Sequence, residues 1–148
     1  MPVAVGYGES VRIAFATDER TGVTESVVAG LRADGHLVDL VADGAEWPEA
    51  GRTVGRAVAS GGADVGVVCC TSGTGVAMAA NKIPGVRAAL CTDAATAAAA
   101  RRWNDANVLA LGLRLTTEAV AREVVEAFLA TPFDHAEADA VDRVEPGG

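Results

Sequence analysis

The sequence predicts an α/β fold built on a five-stranded parallel sheet with helices on both faces. Short apolar runs of strand length alternate five times with segments of helical periodicity. The runs carry Val, Ala, Leu and Ile with few polar interruptions, as strands covered on both sides do. Parallel neighbours need a crossover, and a helical segment follows each run to supply one.

Val11 to Thr17 is the first strand, with Asp18 at its carboxyl end. From about Thr21 to Ala33, the residues Val23, Val27, Val28 and Leu31 recur at helical spacing, and Gly35 supplies a stop. His36 to Ala42 reads as the second strand, Pro48 to Ser60 as a helix and Asp64 to Cys70 as a buried strand. Gly75 to Lys82 is a short helix, Val86 to Cys91 a strand, Ala94 to Trp103 a helix capped by Asp93, and Val108 to Gly112 the fifth strand. The last clear helix starts at the Thr116-Thr117 cap and runs to about Ala130, with Val120, Val124 and Phe128 on one stripe and Pro132 beyond its end. Past Phe133 the sequence turns acidic and reads as a frayed helix.

A chain of 148 residues has the length of one domain, so residues 1–148 are expected to fold together, with 1–10 as a leader and 134–148 as an acidic tail, mobile or interfacial. Twelve basic against twenty acidic side chains leave a net charge of −8, which repels phosphate backbones and makes nucleic acid a poor partner. Arg101-Arg102 is the one basic doublet. No apolar run approaches the roughly 20 residues that cross a bilayer, and the start lacks a basic leader, so no membrane association and a cytoplasmic location are expected. Three cysteines without C-x-x-C spacing read as free thiols in a reducing compartment, not as a zinc site. With only His36 and His135 present, a mechanism needing several imidazoles is excluded within one chain.

Ligands of parallel sheets sit beyond the carboxyl ends of the strands, which points to Asp18, the loop after Cys70 and the segment near Asp93. The loop is the most informative of these. It places a thiol, hydroxyls and two glycines where a buried strand turns into a helix, in the run Cys69-Cys-Thr-Ser-Gly-Thr-Gly75. Gly73 and Gly75 let backbone N–H groups face an anion, and the following helix adds the positive end of its dipole. That field would lower a thiol pKa, making Cys70 a base or nucleophile, while Cys69 points to the opposite face as core. A buried, inert Cys70 beside a Gly-rich turn is the competing explanation. Neither the P-loop nor the dinucleotide signature is present.

The run Ser72 to Leu90, SGTGVAMAANKIPGVRAAL, together with Asn104 to Gly112, NDANVLALG, resembles the ribose-5-phosphate isomerase B / galactose-6-phosphate isomerase family, and the resemblance extends from about Arg12 to Phe133. It implies a three-layer, Rossmann-like α/β/α sandwich that forms dimers, often tetramers, with sites shared between subunits and no cofactor or metal. The implied reaction is aldose–ketose interconversion of sugar phosphates through an enediolate. Such relatives place the base either at the position of Cys70 or at that of Val76, so Cys70 is the matching candidate. By the same resemblance, Ser72 joins Cys70 in catalysis, while Gly73, Thr74 and Gly75 form the nest for the enediolate oxygen. Asp18 would hold sugar hydroxyls, Asn104 would reach a partner's site and Arg114 would bind the phosphate.

Several positions depart from the pattern. Thr71 stands where a glycine is usual, which would strain a β-branched residue if φ were positive there. Trp103 replaces the usual ring-opening histidine, Glu19 replaces another histidine, and residues near Glu137 and Val141 replace arginines. Two expectations follow: an isomerase of this type with an altered sugar substrate, or a non-catalytic member that serves as a partner subunit or sugar-binding module.

Overall fold

The computed structural model describes residues 9–147. Its elements are β1 (Arg12–Thr17), α1 (Gly22–Ala33), β2 (Leu37–Leu40), α2 (Trp47–Ala59), β3 (Val65–Cys70) and α3 (Thr74–Asn81). They continue as β4 (Ala88–Leu90), α4 (Ala94–Asn104), β5 (Val108–Gly112) and α5 (Glu118–Ala130), then a 3-10 turn (His135–Glu137) and α6 (Ala138–Asp142). All five strands are parallel, in the order β2-β1-β3-β5-β4, so the predicted three-layer α/β/α architecture is the one found.

Strict alternation along the central strands divides the core into two layers. Ile13, Phe15, Val65, Val67, Cys69, Leu109 and Leu111 face α1, α4 and α5. Ala14, Ala16, Val68, Cys70, Val108 and Ala110 face α2 and α3. The second side is lined by smaller residues, and its helices pack closely: a Cβ on Gly51 in α2 would lie 2.7 Å from the Val76 carbonyl oxygen in α3. Local signals place the helix starts. Thr21 and Thr24 form a capping box on α1, Asp93 Oδ1 accepts from the Thr96 N–H at 2.7 Å, and Thr117 accepts from the Val120 N–H at 3.2 Å.

The edge strands are shorter than their sequences suggest. β2 ends at Leu40, and two residues on Ala42 takes the left-handed conformation, φ +50°, which a strand does not accommodate. β4 begins at Ala88 because the Arg87 N–H donates to the side-chain oxygen of Asn107 at 2.8 Å.

An ion-pair chain organises the amino ends of β4 and β5. Arg101 is fully buried, and its Nη1 donates to Asp105 Oδ1 at 2.9 Å and to the Ala106 carbonyl at 2.6 Å. The guanidinium also lies over the Phe128 ring, 5.9 Å from its centroid. Asp105 closes α4 at φ +47°, and its Oδ2 accepts from Arg87 Nη2 at 3.3 Å. Arg87 Nη1 then donates to Glu145 Oε1 at 2.7 Å, while Glu145 Oε2 accepts from the Gly85 N–H at 3.0 Å. The tail from Asp134 is therefore folded onto its own chain, with Val141 buried, and is not a loose extension. The leader up to residue 8 lies outside the described residues.

Among the described residues no helix is long and apolar enough to cross a membrane, and no His, Cys, Asp or Glu group has the clustering to hold a metal ion. Replacing Asp105 with Ala removes the carboxylate facing the buried Arg101 and puts a β-carbon without polar compensation at a positive φ. The Asp105→Ala variant is expected to lose about 3 kcal/mol or more of unfolding free energy in urea titration.

Candidate active site

At the carboxyl ends of β1 and β3 the chain leaves the sheet toward opposite faces, α1 to one side and α3 to the other. Such a divergence opens a crevice where ligands of open α/β sheets bind. Asp18 stands at its β1 side and Cys70 at its β3 side, joined by a hydrogen bond from the Asp18 N–H to the Cys69 carbonyl of 3.3 Å.

The three thiols differ in environment. Cys69 is sealed in the α1, α4 and α5 side, and burial pushes its thiol pKa far up, with Cys70 and then Asp18 adding to the shift. Cys91 is pushed up to about 11, first by burial and then by Asp93. Cys70 is buried in the other layer with Ala50 and Val76, and 5% of the residue stays exposed where Cys69 and Cys91 have none. Its carbonyl accepts from the Leu113 N–H at 2.9 Å.

Beyond Cys70 the chain passes through Thr71 and Ser72 to Gly73, whose φ of +77° makes the turn into α3. The left-handed conformation falls on Gly73, so Thr71 carries no such strain. A Cβ on Gly73 would lie 2.9 Å from the Gly112 nitrogen, and one on Gly112 would lie 2.7 Å from the Ser72 oxygen. The loop is thereby pressed against the end of β5. Ser72 Oγ and Thr74 Oγ1 share a hydrogen bond of 2.7 Å on the exposed side. Gly73 offers no side chain to cap α3, leaving the first-turn N–H groups, those of Thr74, Gly75 and Val76, without a side-chain acceptor.

Asp18 is half-buried, and its Oδ1 has no hydrogen-bond partner. Burial raises its pKa above the ordinary 3.8, and the neighbouring Glu19 raises it further, against a smaller opposing effect of its own backbone N–H. Arg114 reaches the same end from β5: its N–H donates to the Thr71 carbonyl at 3.0 Å, and its exposed guanidinium has no partner among the described residues.

Cys70, Ser72, Gly73, Thr74, Gly75, Asp18 and Arg114 thus converge at the carboxyl end of the sheet. Asn104 does not join them. It ends α4 on the amino side of β5, a strand length of roughly 17 Å away. Together with Trp103 it borders a cleft of about 500 Å³ at that end. His135, edge-on to Phe133 at 5.1 Å, lies at the amino end too and supplies no acid to the crevice of its own chain.

Sequence reasoning missed the α2 side of the crevice. Trp47 opens α2 and packs on Gly75, where a Cβ would come within 2.8 Å of the indole. The Trp-Pro pair at a helix start was the available signal. Also unseen was Arg20, whose Nη2 donates to both carboxylate oxygens of Asp43 at 2.7 Å, tying the loops after β1 and β2 together.

The model of the Ribose/Galactose Isomerase family matches residues 13–145. The galactose-6-phosphate isomerase subunit LacB of Clostridium acetobutylicum is 37% identical over 109 residues, which is 70% of this chain and 62% of that protein. The chain thus spans less than two thirds of the length of this curated relative. A D-erythrulose-4-phosphate isomerase of Pectobacterium atrosepticum is 33% identical over 105 residues, covering 71% of this chain and 69% of that one. The crystal structure of a ribose 5-phosphate isomerase from Thermotoga maritima superposes with a TM-score of 0.87 at 31% identity, covering 93% of this chain and 99% of the other.

Two measurements probe this geometry. Alkylation of the native protein at about pH 8 should label one thiol per chain, lost in Cys70→Ala, and all three after denaturation. Because the fold favours protonated Asp18, its stabilising effect is complete below 3.8 and fades as pH rises through the elevated native value. Asp18→Asn should therefore match wild type in urea stability at low pH and gain on it as pH approaches about 7.

Proposed function

Because the chain belongs to the ribose/galactose isomerase family, we propose that it is a sugar-phosphate isomerase interconverting an aldose and a ketose through an enediolate, with Cys70 as the base. The observation that carries this reading is the meeting of Cys70, a paired Ser72–Thr74 hydroxyl couple and an uncapped α3 N-terminus at one end of the sheet.

In the forward direction the Cys70 thiolate takes the proton from the carbon beside the sugar carbonyl. The C–H electron pair forms the carbon–carbon double bond of the enediolate, and the carbonyl π pair moves onto its oxygen. N–H groups of Thr74 and Gly75 and the hydroxyl of Ser72 hold that oxygen. The thiol returns the proton to the adjacent carbon, and the hydroxyl proton passes between the two oxygens, so no atom is gained or lost. Asp18 accepts a hydroxyl of the sugar, and Arg114 meets its anionic group. Asn104 serves the site of a second copy, since it stands at the opposite end of its own sheet, and this makes a homodimer or a tetramer the working unit. Its three free thiols suit a reducing cytoplasm.

Asp18 and Glu19 flank the crevice, with the exposed Arg114 as the opposing cation without a partner among the described residues, and this charge balance supports an altered sugar substrate. The small exposure of Cys70, 5%, favours a second reading, a non-catalytic subunit or sugar-binding module completed by a different chain.

Proton–deuterium exchange at the carbon beside the carbonyl, C1 of D-erythrulose 4-phosphate and C2 of D-ribose 5-phosphate and D-galactose 6-phosphate, with their neutral sugars alongside, separates the two. The isomerase exchanges at least one of them, and Cys70→Ala lowers that rate by about 10² to 10⁴-fold. Saturable binding with no exchange across the panel would leave only the second.

A further inference from the structure

Trp47 is a large aromatic left 45% exposed at the carboxyl end of the sheet, in a chain with few aromatics. One face of the indole is accounted for. It lies on Gly75, where a Cβ would stand 2.8 Å from Cε3 and 3.0 Å from Cδ2, so the second glycine of the loop is what admits the ring.

The ring is held there by more than this contact. The loop that delivers it bends at Ala42, φ +50°, a conformation a non-glycine residue rarely adopts, and at Gly44, φ +75°. The Arg20–Asp43 pair, in which Nη2 meets both carboxylate oxygens, links the same loop to the segment after β1, close to Asp18. Pro48 follows the tryptophan in the first turn of α2, where its missing N–H costs nothing and its fixed φ stiffens the start. One turn further, Ala50 is buried in the layer that contains Cys70. A strained loop, an ion pair and a proline thus converge to present one half-open indole beside the uncapped end of α3.

Resting on the isomerase reading, we propose that Trp47 is a specificity-determining wall of the sugar site, stacking on the C–H face of the carbon chain and limiting its length. Sugars suit such a surface, because their axial C–H bonds present apolar area to an aromatic face while their hydroxyls remain free for the polar side, here Ser72, Thr74 and Asp18. The wall stands over the first turn of α3, where the enediolate oxygen is held. A longer carbon chain must therefore bend around it or be excluded.

The test uses the full-length chain and the same three sugar phosphates. In a Trp103→Phe background Trp47 is the sole indole, and titration with each sugar phosphate should quench its emission and move it to the blue. Trp47→Ala should raise the ratio of kcat/KM for the six-carbon over the four-carbon substrate by about tenfold or more, mostly through KM, while Trp47→Phe keeps the wild-type ratio. Circular dichroism of both variants confirms that the fold is retained, and Trp47→Phe alone, with its emission replaced by calorimetric affinity, decides if Trp47→Ala does not fold: affinities within about threefold of wild type support stacking. An unresponsive emission, or a chain-length ratio unchanged in Trp47→Ala, overturns the proposal even where proton–deuterium exchange is intact. Absence of exchange beside the carbonyl of every sugar phosphate in the wild type overturns the isomerase reading, and the emission titration then still decides whether sugar lies against the indole.

Discussion

The backbone of the loop after β3 runs so close to the end of β5 that neither Gly73 nor Gly112 has room for a side chain. This contact sets the position of everything else in the crevice. With the loop pressed there, the Leu113 and Arg114 N–H groups bond to the Cys70 and Thr71 carbonyls, so the β3–β5 ladder continues past its last paired residues. The turn at Gly73 then aims α3 with its open N–H groups toward the solvent side of the sheet, and Ser72 and Thr74 are brought within hydrogen-bonding distance of each other. A Cβ at either glycine meets backbone atoms, which cannot swing aside as a side chain can.

The two ends of the sheet differ in how their polar groups are used. At the amino end Arg101, Asp105, Arg87 and Glu145 are linked in a continuous chain, and Asn107 both accepts from the Arg87 N–H and donates to the Gly85 carbonyl. Buried charges survive there because each has an oppositely charged neighbour and hydrogen bonds besides. At the carboxyl end an Asp18 oxygen lacks a partner, α3 lacks a side-chain cap and Arg114 extends without an acceptor among the described residues. A buried carboxylate oxygen without a partner, beside an uncapped helix start and an open guanidinium, is the arrangement expected of a place where something else binds.

Much of the architecture was legible beforehand, because a strand buried on both faces has an unmistakable composition and α1, α4 and α5 carry side-chain caps. Val65 to Cys70 and Val108 to Gly112 were visible for the first reason, and Asp93 and Thr117 for the second. The short edge strands were not, since they end through a dihedral at Ala42 and a side-chain bond from Asn107, neither of which leaves a trace in hydropathy. The packing of the acidic tail on its own chain was hidden for a related reason. Its anchor is one carboxylate, Glu145, meeting an arginine 58 positions earlier. Within the site, Cys70 and the glycine loop could be named because they are contiguous, whereas Trp47 belongs to it only through packing against Gly75.

The order of five strand–helix units, the two-sided burial of the central strands and the identity of the loop glycines are properties of the sequence alone, since each depends on residues a few positions apart. Which segments meet was decided by the tertiary fold. Inserting β5 between β3 and β4 is what carries Arg114 to the loop after Cys70 and leaves Asn104 at the far end of the same sheet. The same packing sealed Cys69 and left a margin of Cys70 open, though the two are adjacent and chemically identical. Burial and proximity are sums over distant contacts, and no local pattern of side chains contains them.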